Sequence, residues 1–171
     1  MNKKVEEILN KQIELEASSS HHYLAMASWA ESVGYGGTAD FLYLHSDEER
    51  QHMLRLVKFV NERGGKVVIP SLKGGEISFN GLDEVFQSLL EHEVEVTNAI
   101  NEVVHVCLEQ KDYTTHNFMQ WYVSEQLEEE ALARSILDKL SLIDGNKGGL
   151  YLFDRDLANF KVDSIANEPN E

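Results

Sequence analysis

The chain has 171 residues, of which 30 are acidic and 15 are basic, so its formal net charge is −15. This length suffices for one domain with a sizeable core. The negative charge disfavours nucleic acid as a partner, and no apolar stretch is long enough to span a membrane. The N-terminus lacks the apolar segment of an export signal, and the single cysteine, Cys107, cannot form an internal disulfide. Both features favour a reducing, cytoplasmic location.

Apolar periodicity, glycines and N-cap signals predict four long helices and a short fifth one. Their approximate ranges are 5–32, 38–63, 82–110, 113–144 and 150–160. The second helix should end at Gly64 and Gly65, and Asp112 is a suitable N-cap for the fourth. We therefore expect one domain over residues 1–161 and a polar C-terminal tail over residues 162–171.

The lengths of the connections predict how these helices are arranged. Short links join the first helix to the second and the third to the fourth, so each pair should be antiparallel. The link of residues 66–81 can extend over about 50 Å, whereas the second helix is about 40 Å long. The link can therefore return along the whole bundle and start the third helix parallel to the second. This predicts an all-α four-helix bundle with one long crossover.

Two Glu-x-x-His pairs occur in the sequence, and about one would be expected by chance. Glu49 and His52 fall on the apolar stripe of the second helix, where charged groups are rarely buried without a partner. Glu102 follows Glu93 by nine residues, which places it on the opposite face of the third helix. We therefore expect Glu102 and His105 to lie on the surface.

Each long helix carries one glutamate near the middle of its inward stripe. These residues are Glu16, Glu49, Glu93 and Glu129. Four carboxylates close together in a core cannot all stay ionised unless a cation neutralises them. Oxygen ligands with an imidazole suit iron or manganese better than structural zinc. The pattern predicts a pair of metal ions between the helices.

Four segments of the sequence resemble the ferritins, and most closely the bacterial non-haem ferritins. They are NKQIELEASSSHHY, HSDEERQHMLRL, NFMQWYVSEQLEEE and DKLSL, and the similarity covers nearly residues 5 to 160. The resemblance implies a ferritin-like four-helix bundle with a long crossover and a short fifth C-terminal helix. It also implies an iron store with ferroxidase activity, assembled as a hollow shell of 24 subunits that holds Fe(III) as a hydrated oxide.

The resemblance further implies three iron sites. One would be held by Glu16, Glu49 and His52, with Glu49 as the bridging ligand. A second would be held by Glu93 and Glu129, with Gln126 beside them. A third, nearer the interior of the shell, would be built from Glu48, Glu125, Glu128 and Glu129. Tyr23 would lie next to the centre and either hold a hydrogen bond to a ligand or donate an electron. Trp121 matches a tryptophan near the centre in the family, and its alternative role is ordinary packing in the core.

Two departures from the family pattern carry expectations. Where the general di-iron pattern has a second Glu-x-x-His, this chain has Gln126-x-x-Glu129. A neutral amide is a weak metal ligand, so the second iron should be held more loosely than the first. Haem-binding relatives have a methionine where this chain has Arg50, and Met53 is out of register, so we expect no haem.

Asp112 and His116 are weak candidates for residues that line a pore. The stronger interpretation is that Asp112 is an N-cap and His116 is a surface histidine.

The leading hypothesis is thus an iron store that oxidises Fe(II) with O₂ or H₂O₂. A small di-iron peroxide reductase of the erythrin type would use the same ligands and store nothing. A DNA-protecting miniferritin would place its iron site between subunits, which does not match ligands within one bundle. A helical signalling bundle is the non-catalytic alternative, and it is disfavoured by the absence of a secretion signal and a disulfide.

Overall fold

A computed structural model of the chain describes residues 1–72 and 78–157. Its five α-helices are α1 (Lys3–Ser32), α2 (Gly36–Glu62), α3 (Leu82–Glu109), α4 (Tyr113–Ile143) and α5 (Lys147–Leu157). The predicted all-α bundle with a short fifth helix is confirmed. Within the described residues, no helix has the length and apolarity needed to cross a bilayer. The end predicted for the fifth helix, the boundary at residue 161 and the tail 162–171 lie outside the described residues.

Side-chain caps explain where the helices begin. The carboxylate of Asp112 accepts a hydrogen bond from the Thr115 N–H, so its predicted N-cap role is confirmed. Asn2 accepts from the Lys4 N–H, and α1 begins two residues before the predicted start. The helix α5 begins at Lys147, also earlier than predicted, because Asn146 accepts from the Gly149 N–H. Asparagine is a strong N-cap residue, and both of these positions could have been recognised from the sequence.

Two apolar clusters fill the two ends of the bundle. In the first cluster, the C-terminal halves of α1 and α4 pack against the N-terminal halves of α2 and α3 and against α5. Its members include Tyr23, Phe41, Phe86, Ile136 and Phe153. The second cluster joins the opposite halves of the four long helices, through residues such as Leu9, Leu56, Ile100 and Met119. These pairings require α2 and α3 to run parallel, and the predicted long crossover is confirmed.

The ends of the helices are tied together by polar contacts. Near the second cluster, the Arg63 guanidinium donates to both carboxylate oxygens of Asp112, each at 3.1 Å, and thereby joins the end of α2 to the start of α4. At the other end, Asp154 of α5 accepts from the N–H groups of Gly37 and Thr38 and from the Thr38 hydroxyl. A residue of α5 therefore caps α2, and α2 begins two residues earlier than the sequence predicts.

The close approach of α5 to α2 depends on Gly37. A Cβ built at this position would lie 1.8 Å from the Asp154 carbonyl oxygen, whereas a Cβ at Gly36 would meet nothing within 4 Å. We expect Gly37→Ala to destabilise the protein by about 1–3 kcal/mol, because the backbone of α5 must move. Gly36→Ala is the matched control and should be neutral or slightly stabilising, by up to about 1 kcal/mol. Urea unfolding of both variants measures this, and equal stabilities would contradict the proposed close contact.

Candidate metal centre

A polar layer lies between the two apolar clusters. The glutamates predicted to face inward, Glu16, Glu49, Glu93 and Glu129, are each at most 5% exposed. Glu102 is exposed, as predicted for the second Glu-x-x-His pair. The helical stripes therefore identified correctly which carboxylates enter the core. Because both ends of the bundle are apolar, these groups have little access to water as a hydrogen-bond partner.

Acidic and imidazole side chains in this layer come together in three groups. They are Glu16 with Glu49 and His52, Glu48 with His52 and Glu125, and His45 with Glu48 and Glu129. In each group, one oxygen or nitrogen atom of every residue lies within 4.8 Å of the corresponding atoms of the others. Such spacing allows the three atoms to share one metal ion, since each would move only slightly to reach a coordination distance of about 2.0–2.2 Å.

The first group has the clearest ligand geometry. His52 Nδ1 lies 3.9 Å from Glu16 Oε2 and 3.8 Å from Glu49 Oε2. Both of these carboxylate oxygens are buried without a hydrogen-bond donor, while the other Glu16 oxygen accepts from the Gln12 amide at 2.8 Å. Buried polar atoms in native proteins are almost always satisfied. A cation bound between these atoms would supply the missing interaction, so the donor set fits a metal ion.

Glu93 sits in a different environment. The Tyr23 hydroxyl donates to its Oε1, and the Gln126 amide nitrogen donates to its Oε2 at 2.9 Å and to its backbone oxygen at 3.2 Å. The amide nitrogen of Gln126 thus faces the carboxylate, and its amide oxygen is the atom that could bind a metal. Both oxygens of Glu93 keep lone pairs for a cation, but its orientation is fixed by Tyr23 and Gln126.

His45 belongs to the centre, although it is not among the residues predicted from the sequence. Its Nε2 lies 3.6 Å from Glu129 Oε2, and its Nδ1 is 3.0 Å from the Phe41 carbonyl oxygen. His45 precedes Glu49 by four residues and occupies the same inward stripe of α2, and this position could have identified it from the sequence. Its partner is on α4, however, and only the packing of α2 against α4 reveals the pair.

Burial determines the protonation of these carboxyl groups. It raises the pKa of Glu49 and of Glu93 to about 8, and repulsion from Glu129 adds to both shifts. Burial and repulsion from Glu49 raise the pKa of Glu16 well above its usual range. Burial also acts to raise the pKa of Glu129, but the ion pair with His45 outweighs it and lowers this pKa. Without metal the layer therefore holds extra protons, which metal binding would release.

The remaining predicted residues occupy different surroundings. Glu48 and Glu125 are buried at the α2–α4 side of the layer, and burial raises the pKa of Glu125 to about 7. Glu128 is exposed and belongs to none of the three groups formed by the described residues. The Trp121 ring lies 5.1 Å from the His52 ring and stacks on the Arg55 guanidinium. His116 is half-buried near the surface.

The fold and this layer define a class of protein: a four-helix bundle with a carboxylate-rich layer inside one subunit that could hold metal ions. The Ferritin family model, described as a Ferritin-like domain, matches residues 6–143. The chain belongs to the ferritin family and is an iron-storage protein.

Individual relatives agree with this assignment. The chain is 44% identical over 162 residues to a probable bacterial non-heme ferritin-like protein of Haemophilus influenzae, covering 95% of this chain and 98% of that one. It is 42% identical to the bacterial non-heme ferritin of Campylobacter jejuni, covering 95% and 97%. Among solved structures, the open pore ferritin of Archaeoglobus fulgidus superposes with a TM-score of 0.92 at 38% identity, covering 94% and 98%. The predicted resemblance to bacterial non-haem ferritins is confirmed.

The raised pKa values predict how pH changes the stability of the metal-free protein. Between about pH 4.5 and 8, folded Glu49 and Glu93 keep protons that the unfolded chain releases. The free energy of unfolding should therefore fall as pH rises, by up to about 1.4 kcal/mol per pH unit for each group. Chemical unfolding at several pH values measures the slope.

Glu49→Gln should make this slope less steep, because it removes one of the titrating groups. Glu102→Gln removes an exposed carboxylate from the surface and serves as the matched control for the general effect of charge. If Glu49→Gln and Glu102→Gln follow the same pH dependence, the proton held by Glu49 is not the cause.

Proposed function

We propose that this chain is a ferroxidase as well as an iron store, and that it oxidises Fe(II) at a di-iron centre in the polar layer of the bundle. The observation that carries the proposal is the set of four glutamates buried between two apolar clusters, with oxygens of Glu16 and Glu49 that lack hydrogen-bond donors. In the metal-free protein, protons on these carboxyl groups limit the buried charge, and a cation can take their place. Iron is the metal that the family stores, and it would enter the centre as Fe(II). Iron is thus the substrate of the centre and the cargo of the protein.

The first Fe(II) would bind Glu16, Glu49 and His52, whose ligand atoms already lie within 4.8 Å of one another. Glu49 would bridge to the second ion, because a carboxylate offers one oxygen to each. The imidazole of His52 favours Fe(II) over harder ions such as Mg²⁺. The proton on Glu49 must leave as iron binds, so binding is expected to strengthen as pH rises toward 8.

The second Fe(II) would bind Glu93 and Glu129, with Gln126 as a neighbour. The hydrogen bonds of Glu93 to Tyr23 and Gln126 compete with metal binding, and the layer has no imidazole at the Gln126 position. This second ion should be held more loosely than the first. Loose binding suits an ion that leaves the centre after oxidation and joins the store.

We propose that each pair of Fe(II) ions gives two electrons to O₂ or H₂O₂. Tyr23 lies beside the proposed second site, and its hydroxyl donates a hydrogen bond to Glu93. From this position Tyr23 can either orient Glu93 or give one electron and its proton to partly reduced oxygen, after which a further Fe(II) would return the electron to the tyrosyl radical. We assign Tyr23 and Glu49 the catalytic roles. Trp121 lies against His52 on the other side of the centre.

A third iron site is proposed at the α2–α4 side of the layer, formed by Glu48, Glu125, Glu128 and Glu129. The proximity of Glu48 to Glu125 and of Glu48 to Glu129 supports it, and His45 is placed to contribute a nitrogen ligand. Glu128 would have to turn inward from its exposed position to join them. Ferric ions that pass through this site would move away from the centre of the bundle toward the store.

The assembly and its location belong to the same proposal. We propose a shell of 24 subunits in the cytoplasm, in which Fe(III) collects as a hydrated oxide. The net charge of −15 would help draw Fe(II) to the protein. We propose that no haem is bound, because Arg50 stands where haem-binding relatives have a methionine.

The centre can be tested by removing the bridging ligand. Glu49→Ala should lower the initial rate of Fe(II) oxidation by roughly tenfold to a hundredfold or more, a loss seen even for groups that only support a metal ligand. The assembled shell should persist, since the variant removes a buried carboxyl group whose burial is unfavourable. Stopped-flow absorbance measures the rate. Glu102→Ala is the matched control, because it removes the glutamate of the exposed Glu-x-x-His pair. A parental rate in Glu49→Ala would refute the proposed centre.

Storage can be separated from oxidation by counting iron. The metal-free protein is loaded with excess Fe(II) in air, desalted, and its soluble iron is measured per chain. We expect roughly tens of iron ions per chain or more, as a mineral store requires, whereas a di-iron peroxide reductase would retain only about two or three. Retention of none would show that the buried carboxylates have another purpose.

A further inference from the structure

Two half-buried histidines face each other between α1 and α3, outside the carboxylate layer. The ring centres of His22 and His92 are 5.2 Å apart, with planes tilted by 40°. Neither residue belongs to the three groups around Glu49 and His52. Glu48 and Glu125 mark the α2–α4 side of the bundle, so this pair lies on another side, away from the proposed third iron site.

The hydrogen bonds of Ser19 favour one tautomer of His92. The Ser19 hydroxyl donates to the Leu15 carbonyl oxygen at 3.0 Å, and the same hydroxyl oxygen lies 2.7 Å from His92 Nε2. A serine hydroxyl has one hydrogen to give, so while it donates to Leu15 it can only accept from His92 Nε2. Nδ1 of His92 then carries the lone pair. A histidine that is oriented through one N–H and offers its other nitrogen is the usual form of a metal ligand.

We propose that His22 and His92 form a second, distinct metal site, which binds a borderline divalent cation such as Cu²⁺ or Zn²⁺ through two imidazole nitrogens. Two imidazoles that share a tetrahedral ion at about 2.0–2.1 Å per nitrogen have ring centres about 5 Å apart. The observed separation of 5.2 Å matches this geometry. Water would complete the coordination, since both rings are partly exposed.

The ligand chemistry separates this site from the iron centre. Imidazole nitrogens without carboxylates favour Cu²⁺ and Zn²⁺ over Fe²⁺, whereas the oxygen-rich layer suits iron. The imidazole pair would therefore prefer Cu²⁺ and Zn²⁺ to Fe²⁺, although the carboxylate layer can also bind these cations.

The position of the site gives it access to the iron centre. The Tyr23 ring lies 6.0 Å from the His92 ring, and the Tyr23 hydroxyl donates to Glu93. A divalent cation on the two imidazoles would thus lie one side chain away from a proposed iron ligand. Its charge would oppose the entry of Fe(II) on that side of the layer. The binding of the cation does not itself depend on the ferroxidase proposal.

Electron paramagnetic resonance with Cu²⁺ tests the site, because nitrogen hyperfine structure counts the imidazoles on each ion. The metal-free assembled protein is titrated with Cu²⁺. We expect one species per chain with two imidazole nitrogens, whereas each group of the carboxylate layer contains a single histidine. A parent protein that shows only ions with one imidazole would overturn the proposal, whatever the behaviour of any variant.

Variants then assign the species. His22→Leu and His92→Asn should each abolish the two-imidazole signal, and His21→Leu should keep it, because His21 is the exposed neighbour on the same helix. Glu49→Ala should also keep the signal, which separates this site from the proposed iron centre. Persistence of the signal in His22→Leu and in His92→Asn, or its loss in Glu49→Ala, would overturn the assignment.

Discussion

The burial of several carboxyl groups in the middle of one helical bundle is the constraint on which the rest of the structure depends. An ionised carboxylate loses several kcal/mol of solvation when it leaves water, and its neighbours of like charge increase the penalty. The two apolar clusters at the ends of the bundle stabilise the fold enough to tolerate this layer. Protons on Glu49 and Glu93, and the ion pair of His45 with Glu129, reduce the charge that remains. Iron can replace those protons because the same oxygens suit it.

The polar contacts at the helix ends keep this layer in register. Asp112 ties α4 to the end of α2 through Arg63, and Asp154 ties α5 to the start of α2. The helix α2 carries half of the buried acidic and imidazole groups of the layer, and it is held at both ends by residues from other helices. A small shift of α2 along its axis would separate His45 from Glu129. The close approach at Gly37 therefore contributes to the geometry of a site that is some three helical turns away.

The two sides of the layer differ in chemistry. On the α2–α4 side, Glu48 and Glu125 are buried and Glu128 is exposed, which would give oxidised iron a succession of oxygen ligands. Around Glu93 of α3, Tyr23 of α1 and Gln126 of α4 donate hydrogen bonds. The Tyr23 ring lies 6.0 Å from that of His92, one of the two imidazoles proposed as ligands on the α1–α3 side. The two sides would therefore offer different ligand sets to metal ions within a single subunit. The proposed flow of iron and the proposed second metal site follow from this asymmetry.

The sequence by itself determined the helices, their antiparallel and parallel pairing, and the four inward glutamates. Each of these follows from local periodicity or from the length of a connection, which one chain segment encodes alone. Only the tertiary structure decided which groups meet across helices: the pairing of His45 with Glu129, and that of His22 with His92. The sequence pattern likewise could not show that Glu128 is exposed. Such contacts depend on the rotation and axial offset of one helix against another, and these are set by the packing of the whole core.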